Sequence, residues 1–197
     1  LGIWDEFTKH RAAIRRSAWR DLIDQGPADD VKPNALAVDM SHAREISVSA
    51  CWLEGESAHC EEVWAGPDED AAVEWIVERA GRRITVAIDG SSPASALVPR
   101  LRARKVLVMQ TTAGDMAKAC GLLIGKAKPG RFSHADQDAV RDALEIARKY
   151  AIGSAGGWGW DRRDESVNIA PIVSVTLSLF GAEATKRTRT SGGATFV

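Results

Sequence analysis

Two segments of this sequence end alike: an apolar run, an aspartate, then small residues, at Val38-Asp39-Met40-Ser41 and at Ile88-Asp89-Gly90-Ser91-Ser92. Between them lie Ile46 to Trp52 and Ala58 to Trp64, two further β-prone runs with tight connections. Asp68 is a good N-cap for an amphipathic helix through Ala80, and Ile84 to Asp89 reads as a buried strand from its continuous apolar character. The resulting order, β-β-β-α-β, is an antiparallel meander followed by a crossover. It places a carboxylate at the C-terminal end of two strands.

The alternation continues with a helix from about Pro93 to Ala103, a strand from Lys105 to Met109, and helices from about Gly114 to Gly125 and Ala135 to Tyr150. Ile169 to Phe180 closes it as a strongly apolar helix. The fold class expected is α/β, a mixed central sheet flanked by helices. Trp4, Ile14, Trp19 and Leu22 have loosely helical spacing and run into the turn-rich stretch Gln25 to Asp30. Residues 1–33 are therefore expected to be a connector, 34–181 the domain and 182–197, rich in Thr, Ser, Gly, Lys and Arg, a flexible tail. A start at Leu1 rather than methionine suggests one part of a larger protein.

With 197 residues, 45% of them hydrophobic, the chain can bury one sizeable core. A net charge of -1 gives no global nucleic-acid signal. Basic residues do cluster at Arg100, Arg102, Arg104 and Lys105 and at Lys186, Arg187 and Arg189, either as phosphate contacts or as a solvated surface. Three cysteines without a CxxC pair suit a reducing compartment, and Cys51, His59 and Cys60 with His42 match no recognised zinc spacing. No apolar run approaches the ~20 residues of a membrane span, and the first nine residues lack a signal-peptide layout.

Strand ends in an open α/β sheet border a crevice where ligands bind, and two carboxylates meeting there repel unless a cation or proton intervenes. Magnesium or manganese resolves this with oxygen ligands and retained waters. Two such ions about 3.5–4 Å apart can activate a water and stabilise the leaving oxygen of a phosphodiester. Asp39 and Asp89 are thus candidate metal ligands, the structural alternative being that each ends a strand and caps a turn. A third ligand is expected before the last helix, where Asp161, Asp164, Glu165 and Asn168 are candidates.

The segments Ala37 to Ser41, Ala87 to Pro93, Arg131 to His134 and Trp158 to Gly181, in this order and spacing, resemble the C-terminal nuclease half of large terminases from phages of actinobacteria. Leu1-Gly2-Ile3-Trp4-Asp5 resembles the segment leaving the ATPase domain of those proteins, so the likeness spans all but the tail. The resemblance implies an RNase H-like fold and two Mg2+ or Mn2+ ions. It also implies acids at the first strand, the fourth strand and the start of the last helix. Asp39 and Asp89 match the first two. At the third place the family has an acid and this sequence has Asn168, which offers a carbonyl oxygen without charge. Natural variation, an engineered change, or a third acid elsewhere, at Asp164 or Asp161, each account for it.

The implied activity is metal-dependent cutting of concatemeric double-stranded phage DNA during packaging, in the host cytoplasm, with small terminase and portal as partners and no membrane. Rival readings are another RNase H-like nuclease such as a junction resolvase, and a catalytically silent assembly or DNA-binding module. His134 could contact phosphate or simply pack, and Trp158 and Trp160 among glycines could stack on DNA or pack at a strand edge. Gly121 to Ala127 resembles a P-loop superficially, but its glycine spacing is short by one and alanine stands where Ser or Thr would bind magnesium.

Overall fold

The computed structural model of the chain describes residues 12–191, with the main chain alone beyond residue 185. After the short helix α1 (Arg16–Arg20), the expected meander forms as β1 (Ala35–Met40), β2 (Ile46–Glu54) and β3 (Ser57–Gly66), paired antiparallel in sequence. Gly55 makes the tight β2–β3 turn at φ 58°, in the left-handed region that glycine enters without a Cβ clash. Helix α2 (Glu69–Ala80) then carries the chain across to β4 (Thr85–Asp89), which lies parallel to β1. Asp68 caps α2 as expected, accepting from the backbone N–H groups of Asp70 and Ala71.

A 3-10 turn at Pro93–Leu97 and α3 (Val98–Ala103) lead to β5 (Leu107–Thr111), parallel to β4. After α4 (Ala113–Ala127) comes β6 (Phe132–His134), which adds in parallel to β3 and completes a six-stranded sheet in the order β5-β4-β1-β2-β3-β6. The remaining elements are α5 (Asp138–Ile146), a separate hairpin of β7 (Lys149–Ile152) and β8 (Gly157–Trp160), and the long α6 (Ala170–Ser191).

Side-chain alternation along the central strands builds two different layers. Leu36, Val38, Met40, Val86 and Ile88 project to one face and pack with Ala72, Val73 and Ile76 of α2 and Leu101 of α3. On the other face the apolar residues of β1 and β4 are only Ala35, Ala37 and Ala87, and α6 fills the space with Ile172, Val173, Val175, Leu177 and Leu179, flanked by α4 and α5. Small residues let this helix lie close to the sheet. A Cβ on Gly181 would stand 3.3 Å from Ala35 Cβ and 3.4 Å from Ala87 Cβ, so glycine suits the crossing. Apolar or small residues all round α6 from Ala170 to Ala182 are what a helix buried on most of its circumference requires. Its buried hydroxyls are satisfied: Ser174, Thr176 and Ser178 donate to the carbonyls of Pro171, Ile172 and Val175.

Three expectations change. The loose tail does not begin at 182, because α6 continues to Ser191, with Ala182 fully buried and the Thr185 hydroxyl donating to that of Thr85. Polar composition concealed a helix whose inner face still meets the sheet, while residues 192–197 lie outside the described set. The helix expected through Tyr150 stops at Ile146, where Ala147 turns extended, and the charged Arg148-Lys149 opens the unforeseen hairpin. The described part of the expected connector, residues 12–33, packs into the domain. Trp19 is 3% exposed and stacks on His134 at 3.9 Å between ring centroids, and Ile23 forms a parallel bridge to His134.

Candidate active site

Val38 and Ile88 are register partners on parallel strands, so the next residues, Asp39 and Asp89, end side by side. Alternation turns both carboxylates to the α6 face, the side where the apolar residues of these strands are alanines. Asp39 is fully buried and Asp89 nearly so. The loop after β4 orients both: the Ser92 hydroxyl donates to Asp39 Oδ1 at 2.7 Å, while the Ser91 amide and hydroxyl donate to Asp89 Oδ1 at 3.0 and 2.8 Å. Ser92 is itself fixed, its oxygen accepting from the Ala94 amide. The small residues after Asp89 therefore serve the carboxylates directly.

Two buried like charges at adjacent strand ends need a cation, and Arg162 supplies it. Its Nη1 donates to Asp39 Oδ2 and its Nη2 to Asp39 Oδ1, both at 2.7 Å, a bidentate fork, and Nη2 also reaches Asp89 Oδ2 at 3.4 Å. The Arg162 side chain is only 19% exposed. Burial works against its charge, but the Asp39 and Asp89 carboxylates outweigh burial and hold the guanidinium above its ordinary pKa.

The loop that delivers Arg162 is anchored at several points. Trp160, at its start, is 1% exposed and donates from Nε1 to Thr176 Oγ1 of α6 at 2.9 Å. The Asp161 amide donates to the Arg148 carbonyl, and His42, from the β1–β2 turn, donates from Nε2 to the Arg162 carbonyl at 2.9 Å. The Asp161 carboxylate takes Arg163 Nε at 2.8 Å, an ion pair that draws Asp161 below the usual carboxylate range. Of the two adjacent arginines, 163 is thereby held on the surface and 162 points inward.

The four candidates for a third ligand are placed as follows. Asn168 is exposed and uses its side-chain carbonyl to accept from the Ala170 amide, capping α6. Asp164 is exposed, turned back on the amide and hydroxyl of Ser166, which lower its pKa. Asp161 is paired with Arg163, and Glu165 lies 4.0 Å from His42. No hydrogen bond or ion pair joins any of them to Asp39 or Asp89. Among the described residues, no group of three or more His, Cys, Asp or Glu is arranged to hold a metal ion. A metal site before the last helix calls for acids, whereas the residue that reaches Asp39 and Asp89 is Arg162, which stands between Asp161 and Asp164 and carries no acid signal of its own.

Polar residues continue from Asp39 across the sheet. Ser47, its partner on β2, donates to Glu62 Oε1 of β3 at 2.6 Å and lies 2.8 Å from Ser174 Oγ of α6, which also meets Ser49 at 2.7 Å. Burial pushes Glu62 above its ordinary pKa, and the Ser47 hydroxyl partly offsets this.

Other sequence candidates fall elsewhere. His134 is 2% exposed, stacked on Trp19, with its ring nitrogens beside the carbonyls of Ala135 and Trp19. Trp158 packs edge-on to Trp160 and carries Lys149 over its ring. Cys51 and Cys60 are register partners on β2 and β3, both buried free thiols. Gly121 to Ala127 lies within α4, not between a strand and a helix. Arg100 and Arg104 are paired with Glu69, Asp70 and Glu74 of α2. Lys186, Arg187 and Arg189 lie where side chains are outside the described residues. Surface hollows of about 980 Å3, beside Ile14 and Leu22, and about 440 Å3, beside Trp52 and Trp75, are not lined by Asp39, Asp89 or Arg162.

Comparison with known proteins finds no matching family profile and no matching curated protein. Solved structures do match. The large terminase nuclease from thermophilic phage G20c aligns over 82% of this chain and 95% of its own, with a TM-score of 0.59 and 15% identity. The same nuclease with bound magnesium aligns over 83% and 94%, with a TM-score of 0.56 and 14% identity. The HK97 bacteriophage large terminase aligns over 86% of this chain at a TM-score of 0.64 and 16% identity, and this chain spans 43% of it. With its mixed six-stranded sheet flanked by helices, the chain has the RNase H-like fold of the large terminase nuclease domains.

Proposed function

We propose that this chain is the nuclease part of a phage large terminase, a divalent-metal-dependent endonuclease that cuts concatemeric double-stranded DNA during genome packaging. The observation that carries the reading is the convergence of two buried carboxylates, Asp39 and Asp89, on one cation at adjacent parallel strand ends. The same fold occurs in nucleases whose structures hold magnesium and cobalt. The setting of the reading is the host cytoplasm, with the packaging ATPase, small terminase and portal as partners.

Oxygen ligands from Asp39 and Asp89, already gathered round a positive charge, fit one magnesium or manganese ion with waters completing its shell. A divalent cation there supplies Lewis acidity and a more acidic attacking water. The chain's own residues bind and orient: Ser91 and Ser92 fix the carboxylates, and Arg162 presents positive charge to a phosphate. Hydrolysis joins the water oxygen to phosphorus and breaks one P–O ester bond, with the leaving oxygen taking up a proton. The sequence expectation of two metal ions meets a site with two carboxylates and an arginine.

The test is plasmid cleavage by this chain with manganese, magnesium or chelator, beside Asp89→Ala. Cutting is expected only with metal and is expected to fall at least about a hundredfold in the variant. Equal cutting by the variant would overturn the reading. One feature favours a second reading: with Asn168 capping α6 and Arg162 already neutralising the aspartates, the chain could be a silent assembly or DNA-binding module. DNA binding without cutting under every metal condition would select it.

A further inference from the structure

Arg162 does more in this geometry than offset a repulsion. A guanidinium has five N–H donors. Three are used here, one on Nη1 and two on Nη2, all on Asp39 and Asp89. The N–H on Nε and the second on Nη1, on opposite edges of the guanidinium, have no acceptor among the described residues, and Nε reaches solvent, since no buried side-chain nitrogen among those residues lacks a partner. A solvent-reaching N–H on a fixed cation can donate to a phosphate oxygen.

Charge points the same way. The two carboxylates and the guanidinium leave the site with a net negative charge, which repels a phosphodiester. One divalent cation reverses that sign. A second would have to be held without another carboxylate, because the described residues supply no further acid to the cluster.

The two aspartates are also unequal. Asp39 accepts from Ser92 and from both arms of the fork, all at 2.7 Å, whereas Asp89 Oδ2 has one long contact of 3.4 Å. The opening for a metal is therefore on Asp89, and the grip on the arginine is on Asp39.

Building on the nuclease reading above, we propose that Arg162 is the second cation of this site. A single divalent ion is held at Asp89 beside a guanidinium that stays on Asp39, and the free Nε–H of Arg162 takes a non-bridging oxygen of the scissile phosphate. The place that a two-ion nuclease gives to its second metal is here occupied by a covalently tethered charge, so the missing acid at Asn168 is matched by a missing metal.

The experiment is a manganese titration followed by the paramagnetic resonance of free ion, on the wild-type chain, Arg162→Gln, Arg162→Lys and Asp89→Asn, with cleavage measured on the same samples. One manganese per wild-type chain is expected, lost in Asp89→Asn. Arg162→Gln is expected to keep that ion, bound as tightly or more so, while cutting falls at least about a hundredfold. Arg162→Lys, which keeps the charge and loses the fork, is expected to recover part of the cutting. Two ions per wild-type chain, or unchanged cutting by Arg162→Gln, would overturn the proposal and leave the nuclease reading standing. Loss of manganese binding together with cutting in both arginine variants would make Arg162 a structural strut and would also overturn it. No manganese on the wild-type chain would sink the nuclease reading itself.

Discussion

Glu62 shows how a single residue near the site ties stability to pH. Its carboxyl is half-buried on β3, and burial raises its pKa from the ordinary 4.5 despite the Ser47 hydroxyl. A raised folded pKa means that the protonated form is favoured by folding. This contribution is fully present below the unfolded pKa and is lost as pH rises through the folded one. Replacing Glu62 with Gln keeps an acceptor for Ser47 and removes the charge. The melting temperature of Glu62→Gln relative to wild type is expected to rise between about pH 4.5 and 7. A difference constant across that range would show that Glu62 is not strained by burial. Among the site residues themselves, Asp39 and Asp89 were legible because strand ends advertise them: an apolar run, an acid, then small residues. Arg162 was not, because its inward turn depends on three contacts that no local pattern shows, Trp160 with Thr176, Asp161 with Arg163, and the Arg162 carbonyl with His42. Asn168 was legible as a departure, whereas its use as a helix cap is a geometric fact.

Among the elements, the link between β8 and α6 sets the position of the arginine. Trp160 closes β8 in the core and its indole N–H is bonded to Thr176 one helical turn after Ile172, whose carbonyl Thr176 also occupies. Trp160→Phe removes that bond and part of the ring volume. The variant is expected to lose about 1–3 kcal/mol of stability, read as a lower urea midpoint at unchanged slope. An unchanged midpoint would mean that Arg162 is not positioned through this anchor. The long α6 was easy to foresee between Ile169 and Phe180 because every position there is apolar or small. Its continuation past Gly181 was hidden, since the burial of Ala182 and the contact of Thr185 with Thr85 do not show in composition. The β7–β8 hairpin was hidden for a different reason: its strands are four residues each, too short for the alternation of Tyr150 with Ile152 and of Trp158 with Trp160 to mark them.

For the whole molecule, the strand order makes the site. Inserting β4 beside β1 brings residues 39 and 89 to one end of one sheet, and laying α6 over the alanine face puts the loop of Arg162 above them. The β-β-β-α-β order could be read from the sequence and so suggested this meeting of carboxylates. The packing of residues 12–25 against β6 could not, because it depends on Trp19 finding His134 across more than a hundred residues. The central claim is that Asp39 and Asp89 form a divalent-metal site which shares its carboxylates with Arg162. Crystals soaked in manganese and measured at the manganese absorption edge test it most directly. The account expects one anomalous peak bonded to Asp89 with the guanidinium still on Asp39; diffraction showing no manganese at these two residues would contradict it.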